Sequence, residues 1–288
     1  ERQESCSLLR YEPVQLAFKS VELEGCSKDK APILFLHGMA VSKEQWGDIP
    51  EAVAKATNRK VFAVDSRNHG ESPWSDVFNF DCNVDDLLSF MDSIGASKAI
   101  IVGHSMGGIT SMNVALRAPE RVEKLVVVDT NCRKLSQKLT KILLYYLSSL
   151  KAAVEKVPID VDEDTAKKKI FENLFQEFYM LAKLEDSSFH IQLKRSSEGR
   201  WTFKSSIGLF MKAFMNHGEL MTEPMGEYEG PTCFIYGKHS PYLVGQDEKN
   251  NRRFFPNAKM VGIDNATHSV HSDCPREFID ALLNFLQA

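Results

Sequence analysis

Gly103-His104-Ser105-Met106-Gly107 sets a serine two residues from a glycine on either side. The pentapeptide follows the short apolar run Ile100–Gly103 and opens the helix-length segment Met106–Arg117. A sharp strand-to-helix turn of this kind holds its serine in a strained backbone conformation and pushes the hydroxyl out. Gly103 and Gly107 leave room where neighbouring chain comes close. The first turn of the following helix offers free N–H groups and a positive dipole to an oxygen gaining negative charge. The chemistry that needs such an arrangement is nucleophilic attack on an acyl carbon.

A serine hydroxyl is a weak nucleophile at neutral pH and requires an adjacent base. His268, in Asn265-Ala266-Thr267-His268, follows the apolar run Lys259–Ile263, so it is expected on a loop at the same rim as Ser105. His271 is the nearest rival. His104 adjoins the serine but is expected to point elsewhere, and His37 and His69 read as loop-shaping hydrogen-bonders.

The base in turn needs a carboxylate to fix its tautomer and to stabilise the imidazolium. Two positions compete. Asp129 ends the strand beside the nucleophile strand, 24 residues after Ser105. Asp247 is the first carboxylate after Cys233–Tyr236, beyond Gly237-Lys238-His239-Ser240-Pro241-Tyr242, and it falls at a helix start. Asp129 is favoured for its reach across the rim. A second oxyanion donor must come from another loop, and the His37-Gly38-Met39-Ala40 turn supplies it: the backbone N–H of Met39 is expected to act with that of Met106.

These groups must be held by strands. Ile33–Leu36, Val61–Val64, Ile100–Gly103, Leu125–Val128, Cys233–Gly237 and Lys259–Gly262 are short continuous apolar runs, the pattern of strands buried on both faces in a parallel sheet. Val14–Leu23 reads as a strand or hairpin. Helix-length segments alternate with the strands: Lys43–Thr57, Val84–Ile94, Met106–Arg117 and Pro275–Gln287. That alternation specifies an α/β fold with a mostly parallel central sheet, whose reactive groups collect beyond the C-terminal strand ends.

Residues 133–224 break the pattern. Leu135, Leu139, Ile142, Leu143, Tyr146, Leu147 and Leu150 form one helical stripe, and Ile170, Phe171, Leu174, Phe175, Phe178 and Leu181 a second. A third helix is expected within Lys204–Asn216. The organisation is therefore a core domain from residues 1–132 and 225–288, with 133–224 a helical lid inserted after the sixth strand.

The chain has 288 residues, 43% of them apolar, enough for a sizeable core. Its net charge of −4 offers no basic excess for a nucleic-acid backbone, so no nucleic-acid partner is expected. The longest apolar run, Ile142–Leu147, is far below the roughly 20 residues that span a bilayer, so no integral membrane segment is expected and the chain reads as soluble. Six cysteines without a C-x-x-C pair predict free thiols and no zinc site. The chain opens at Glu1, as a processed or truncated form does, and residues 1–30 lack the apolar core of a signal peptide. No metal is expected.

Taken together, His37-Gly38, Asp65-Ser66-Arg67-Asn68-His69-Gly70-Glu71-Ser72-Pro73, the Gly103–Gly108 elbow and His268 resemble the α/β-hydrolase superfamily. The Asp-x-Arg-Asn-His-Gly-x-Ser-Pro segment looks like the branch containing small bacterial esterases and the animal α/β-hydrolase domain-containing protein 11. The likeness covers about residues 30–131 and 230–287; the insertion corresponds only in position. It implies a triad acid after the strand that follows the nucleophile helix, hence Asp129, and carboxylic-ester hydrolysis without cofactor. Animal members imply an intracellular, mitochondrial setting and lipid-ester or acyl substrates. Thr267 and Ser269 depart from the small and aromatic residues usual around the base, which bears on acyl-pocket shape.

The expected activity is that of a serine hydrolase on esters of moderately apolar acids, with Ser105, His268 and Asp129 as triad. Acyl transfer or thioester cleavage would use the same acyl-enzyme. A hydrolase-shaped ligand binder with an idle triad is the non-enzymatic alternative. Epoxide hydrolase and dehalogenase chemistry requires a carboxylate at the elbow, which Ser105 excludes.

Overall fold

The computed structural model describes residues 10–27, 29–177 and 190–288. In chain order the strands are β1 (Phe18–Val21), β2 (Ile33–Leu36), β3 (Val61–Val64), β4 (Ala99–His104), β5 (Val122–Val128), β6 (Leu193–Arg195), β7 (Trp201–Phe203), β8 (Thr232–Gly237) and β9 (Ala258–Ile263). The helices are α1 (Ile49–Thr57), α2 (Phe80–Ser93), α3 (Met106–Arg117), α4 (Gln137–Glu155), α5 (Glu163–Glu177), α6 (Ile207–Met215), α7 (His217–Leu220), α8 (Glu248–Phe254), α9 (Val270–Asp273) and α10 (Pro275–Gln287).

Seven strands make one sheet in the order β1-β3-β2-β4-β5-β8-β9. Only β1 runs antiparallel to its neighbour; the rest pair in parallel. Strand periodicity sorts the core into two layers. Leu34, Leu36, Phe62, Val64, Ile101, Leu125 and Val127 face α2 and α3, where Val84, Leu87, Ile109 and Met112 cover them. Ile33, Phe35, Val61, Ile100, Val102, Val126 and Val128 face the other way, under Val53 of α1 and Phe278 and Leu282 of α10. Each such side chain contributes about 1.5–3 kcal/mol on burial, and both faces must be covered, as a parallel sheet requires.

The expected strands and helices are present with three local differences. Residues 14–23 give the single strand β1, not a hairpin, so the inserted segment leaves after the fifth strand instead of the sixth. The segment 43–57 is broken at Gly47 (φ 50°) into a 3₁₀ turn, Lys43–Trp46, and α1. The insertion is also not wholly helical: β6 and β7 form a short antiparallel hairpin, pairing Leu193 with Phe203. Three residues per strand are too few for an alternation to register in the sequence. Leu147 and Leu150 of α4, Ile170 and Leu174 of α5 and Phe210 and Phe214 of α6 join the main core. Phe178 and Leu181 of the second expected stripe lie outside the described residues. Cys26, Cys82, Cys132, Cys233 and Cys274 are free thiols. Among the described residues no helix is long and apolar enough to cross a membrane.

Candidate active site

Parallel pairing aligns Gly103 and His104 of β4 with Val127 and Val128 of β5, Val128 with Ile235 of β8, and Gly237 with Ile263 of β9. The residues following these strands therefore converge at one end of the sheet. Ser105 sits on the turn between β4 and α3 with φ 52° and ψ −112°, a conformation that L-residues rarely adopt. The strain, about 1–3 kcal/mol, is sustained by its surroundings. The Ser105 N–H donates to the Val128 carbonyl at 3.0 Å and the Gly107 N–H to that of His37 at 3.1 Å. A Cβ on Gly103 would lie 2.3 Å from the Gly107 carbonyl oxygen, and one on Gly107 would lie 2.4 Å from that of Leu36. Neither neighbour is a movable side-chain tip. Gly107→Ala is accordingly expected to lose about 3 kcal/mol of stability in a denaturant titration, whereas Gly208→Ala, in open space on α6, gains or holds.

Asp129 is fully buried just past β5, also in the left-handed region at φ 52°. Its carboxylate accepts three hydrogen bonds: Oδ2 from His268 Nδ1 at 2.7 Å and from the Ser240 hydroxyl at 2.5 Å, and Oδ1 from the Gly237 N–H at 3.0 Å. Asp247 stands elsewhere, at the N-terminus of α8, 3.4 Å from Arg133 and within 3.3 Å of Asn250. His268 occupies the loop after β9 and is the more open partner, with 30% of its side chain exposed. His271 is a buried ring against Trp46, at 4.9 Å between centroids, and burial pushes its imidazole down to about 3.

Two residues that carry no chemical signature in the sequence complete this cluster. The Tyr242 ring stacks on the His268 imidazole at 4.2 Å and 7°. Burial pushes the phenol up to about 12, so it stays protonated. The Tyr242 N–H donates to the Ser240 hydroxyl at 3.2 Å, and Asn131 Nδ2 donates to the Tyr242 carbonyl at 2.8 Å. Ser240-Pro241-Tyr242 thus touches both Asp129 and His268. The stacking could not be read in the sequence.

The two expected oxyanion donors follow neighbouring strands, β2 and β4, at the same end of the sheet. Met106 is the first residue of α3, where the N–H has no intrahelical acceptor. Met39 follows β2, and both neighbouring amides are already committed: Gly38 N–H donates to Gln45 Oε1 at 3.0 Å and Ala40 N–H to His69 Nε2 at 3.2 Å. His37 and His69 shape this turn. His37 Nε2 accepts from the Ser66 N–H at 3.0 Å, while His69 Nδ1 meets the Arg67 carbonyl at 2.8 Å. Burial lowers the pKa of both rings and keeps them neutral.

The inserted segment is fastened to the same turn. Phe210 of α6 stacks on His69 at 4.5 Å, the Ser206 N–H donates to the Asn68 carbonyl at 2.9 Å, and Trp74 Nε1 donates to the Lys204 carbonyl at 3.0 Å. Among the described residues no group of three or more His, Cys, Asp or Glu could hold a metal ion.

A family model described as alpha/beta hydrolase fold matches residues 31–275. The sn-1-specific diacylglycerol lipase ABHD11 of Danio rerio is 32% identical over 295 residues, which span 100% of this chain and 87% of that protein. Ethanol acetyltransferase 1 of Cyberlindnera jadinii is 28% identical over 275 residues, spanning 91% and 81%. Among solved structures, an esterase from a marine microorganism superposes with a TM-score of 0.75 at 26% identity, covering 94% of this chain and 99% of that one.

Proposed function

The chain belongs to the α/β-hydrolase family, and from that membership we propose that it is a carboxylic-ester hydrolase working through an acyl-enzyme on Ser105. Ser105 Oγ attacks the ester carbonyl while His268 Nε2 takes the hydroxyl proton. Asp129 holds His268 in the tautomer with the proton on Nδ1, and the amides of Met39 and Met106 hold the tetrahedral oxyanion. The intermediate collapses as Nε2 returns the proton to the departing alcohol. Water then attacks the acyl-enzyme, giving its proton to Nε2, and the acid leaves as Ser105 regains its hydrogen. The observation that carries this reading is the 2.7 Å bond from His268 Nδ1 to Asp129, on a ring stacked against Tyr242.

Residues 133–224 act in this proposal as a lid whose apolar side chains select the acyl group, which makes the substrate an ester of a moderately apolar acid. The lipase name of the Danio rerio relative supports a glycerolipid ester. Acyl transfer is the second reading, supported by likeness to an ethanol acetyltransferase. An alcohol in place of water at the second step would yield an ester without any change in the residues used.

p-Nitrophenyl esters of increasing acyl length test this directly. Hydrolysis is expected throughout, with kcat/KM rising from acetate to a medium-length acyl group as more methylenes are buried, at up to about 0.8 kcal/mol each. With ethanol added, appearance of the ethyl ester at the expense of free acid would identify transfer. No turnover of any ester, together with no fluorophosphonate adduct on the folded protein, would establish the idle binder instead.

A further inference from the structure

Behind the site lies a buried polar cluster that the proposed chemistry does not use: Gln45, His104 and His271. Gln45 belongs to the 3₁₀ turn Lys43–Trp46, which is anchored to the end of β3 through Lys43: its N–H donates to Asp65 Oδ1 and its ammonium to Oδ2, each at 2.7 Å. The orientation of the Gln45 amide is fixed, because Oε1 accepts the Gly38 N–H at 3.0 Å. Its nitrogen therefore faces His104 Nδ1 and His271 Nε2, both at 3.3 Å. An amide nitrogen only donates. Both imidazole nitrogens must then present lone pairs, which assigns both tautomers. His104 carries its proton on Nε2 and gives it to the His268 carbonyl at 2.9 Å. His271 carries its proton on Nδ1, a buried atom without a partner.

We propose that Gln45 is a positioning residue that ties the oxyanion turn to the base loop, one side of its amide holding Gly38 beside Met39 and the other setting His104 to hold the backbone of His268. This rests on the assignment of Ser105, His268 and the Met39 amide above. Without the Gln45 amide, the Gly38 N–H loses its acceptor and the His104 Nδ1 lone pair its donor, so neither the oxyanion turn nor the ring that holds the His268 carbonyl is tethered. The groups facing His104 are His268, His271 and His37, and those facing His271 are His190, His268 and His104; burial holds both rings neutral, so no surrounding charge substitutes for the amide.

Imidazole ¹⁵N spectra of the wild-type protein are expected to show His104 as the Nε2–H tautomer, a reading independent of activity. Gln45→Leu should lower kcat by about 10²-fold, the scale of an ångström-level misplacement, with little change in KM. Gln45→Glu keeps the shape and the bond to Gly38 but presents acceptors only. His271 adapts by moving its proton to Nε2, whereas His104 serves both the carboxylate and the His268 carbonyl only when doubly protonated. The activity of this variant relative to wild type should therefore recover at least tenfold as the pH falls from about 8.5 to 6, while Gln45→Leu recovers nothing. A wild-type His104 protonated on Nδ1, a Gln45→Leu enzyme of full kcat, or equal and pH-independent losses in both variants would overturn the proposal. If wild type itself hydrolyses no ester, the activity reading fails and the tautomer measurement still decides the hydrogen-bond assignment.

Discussion

Asp129→Asn is expected to lower ester turnover by about 10⁴-fold, while Asp247→Asn stays within a few-fold of wild type. All three partners of the Asp129 carboxylate are donors: His268 Nδ1, the Ser240 hydroxyl and the Gly237 N–H. An amide offers one acceptor in place of two. With its oxygen toward Gly237, the NH₂ faces His268 and forces the imidazole proton onto Nε2, the nitrogen that must take the Ser105 proton. With its oxygen toward His268, the NH₂ meets the Gly237 N–H, donor against donor, and the loop carrying Ser240 and Tyr242 is pushed away. Either orientation leaves a buried donor unpaired, a cost of about 1–3 kcal/mol. Stability and turnover should thus fall together. At Asp247, beside Arg133 and Asn250, an amide still accepts one hydrogen bond. Steady-state kinetics of both variants, with denaturation midpoints, separate the two positions. A crippled Asp247→Asn beside an active Asp129→Asn would reassign the acid.

The choice between these carboxylates shows where sequence reasoning works here. Ile33–Leu36 and Val61–Val64 are strands as read, and β4, β5, β8 and β9 extend the other four apolar runs, because burial on both faces demands unbroken apolarity. Strand adjacency then places Asp129 beside Ser105, since β5 pairs with β4. What the sequence withholds are contacts made by common residues far apart along the chain. Tyr242 is one tyrosine among seven; its stack on His268 depends on a turn whose shape is set by Ser240 and Asn131. Gln45 gains its place only after the helix expected over 43–57 breaks at Gly47 and turns the side chain inward. The β6–β7 hairpin is too short to outweigh the helical stripes around it. His104 was expected to turn away from the serine; the structure adds that it reaches the backbone of the base.

Ser105→Ala should remove fluorophosphonate labelling and lower hydrolysis by about 10⁶-fold, leaving the residual rate that an oxyanion hole and substrate binding sustain alone. The backbone makes a second, opposite demand at the same position. At φ 52° and ψ −112° any Cβ is strained, so alanine inherits the strain. Glycine would relieve it. After the entropy that glycine adds to the unfolded chain is subtracted, Ser105→Gly should be about 1 kcal/mol more stable than Ser105→Ala, and equally inactive. Thermal denaturation of the two variants measures that gap against a common loss of activity. A serine chosen only for packing would show no such ordering, because nothing would hold its backbone where a side chain is disfavoured. If alanine proves the more stable, the turn is not strained in solution, and the argument that it exists to present a hydroxyl loses its energetic basis.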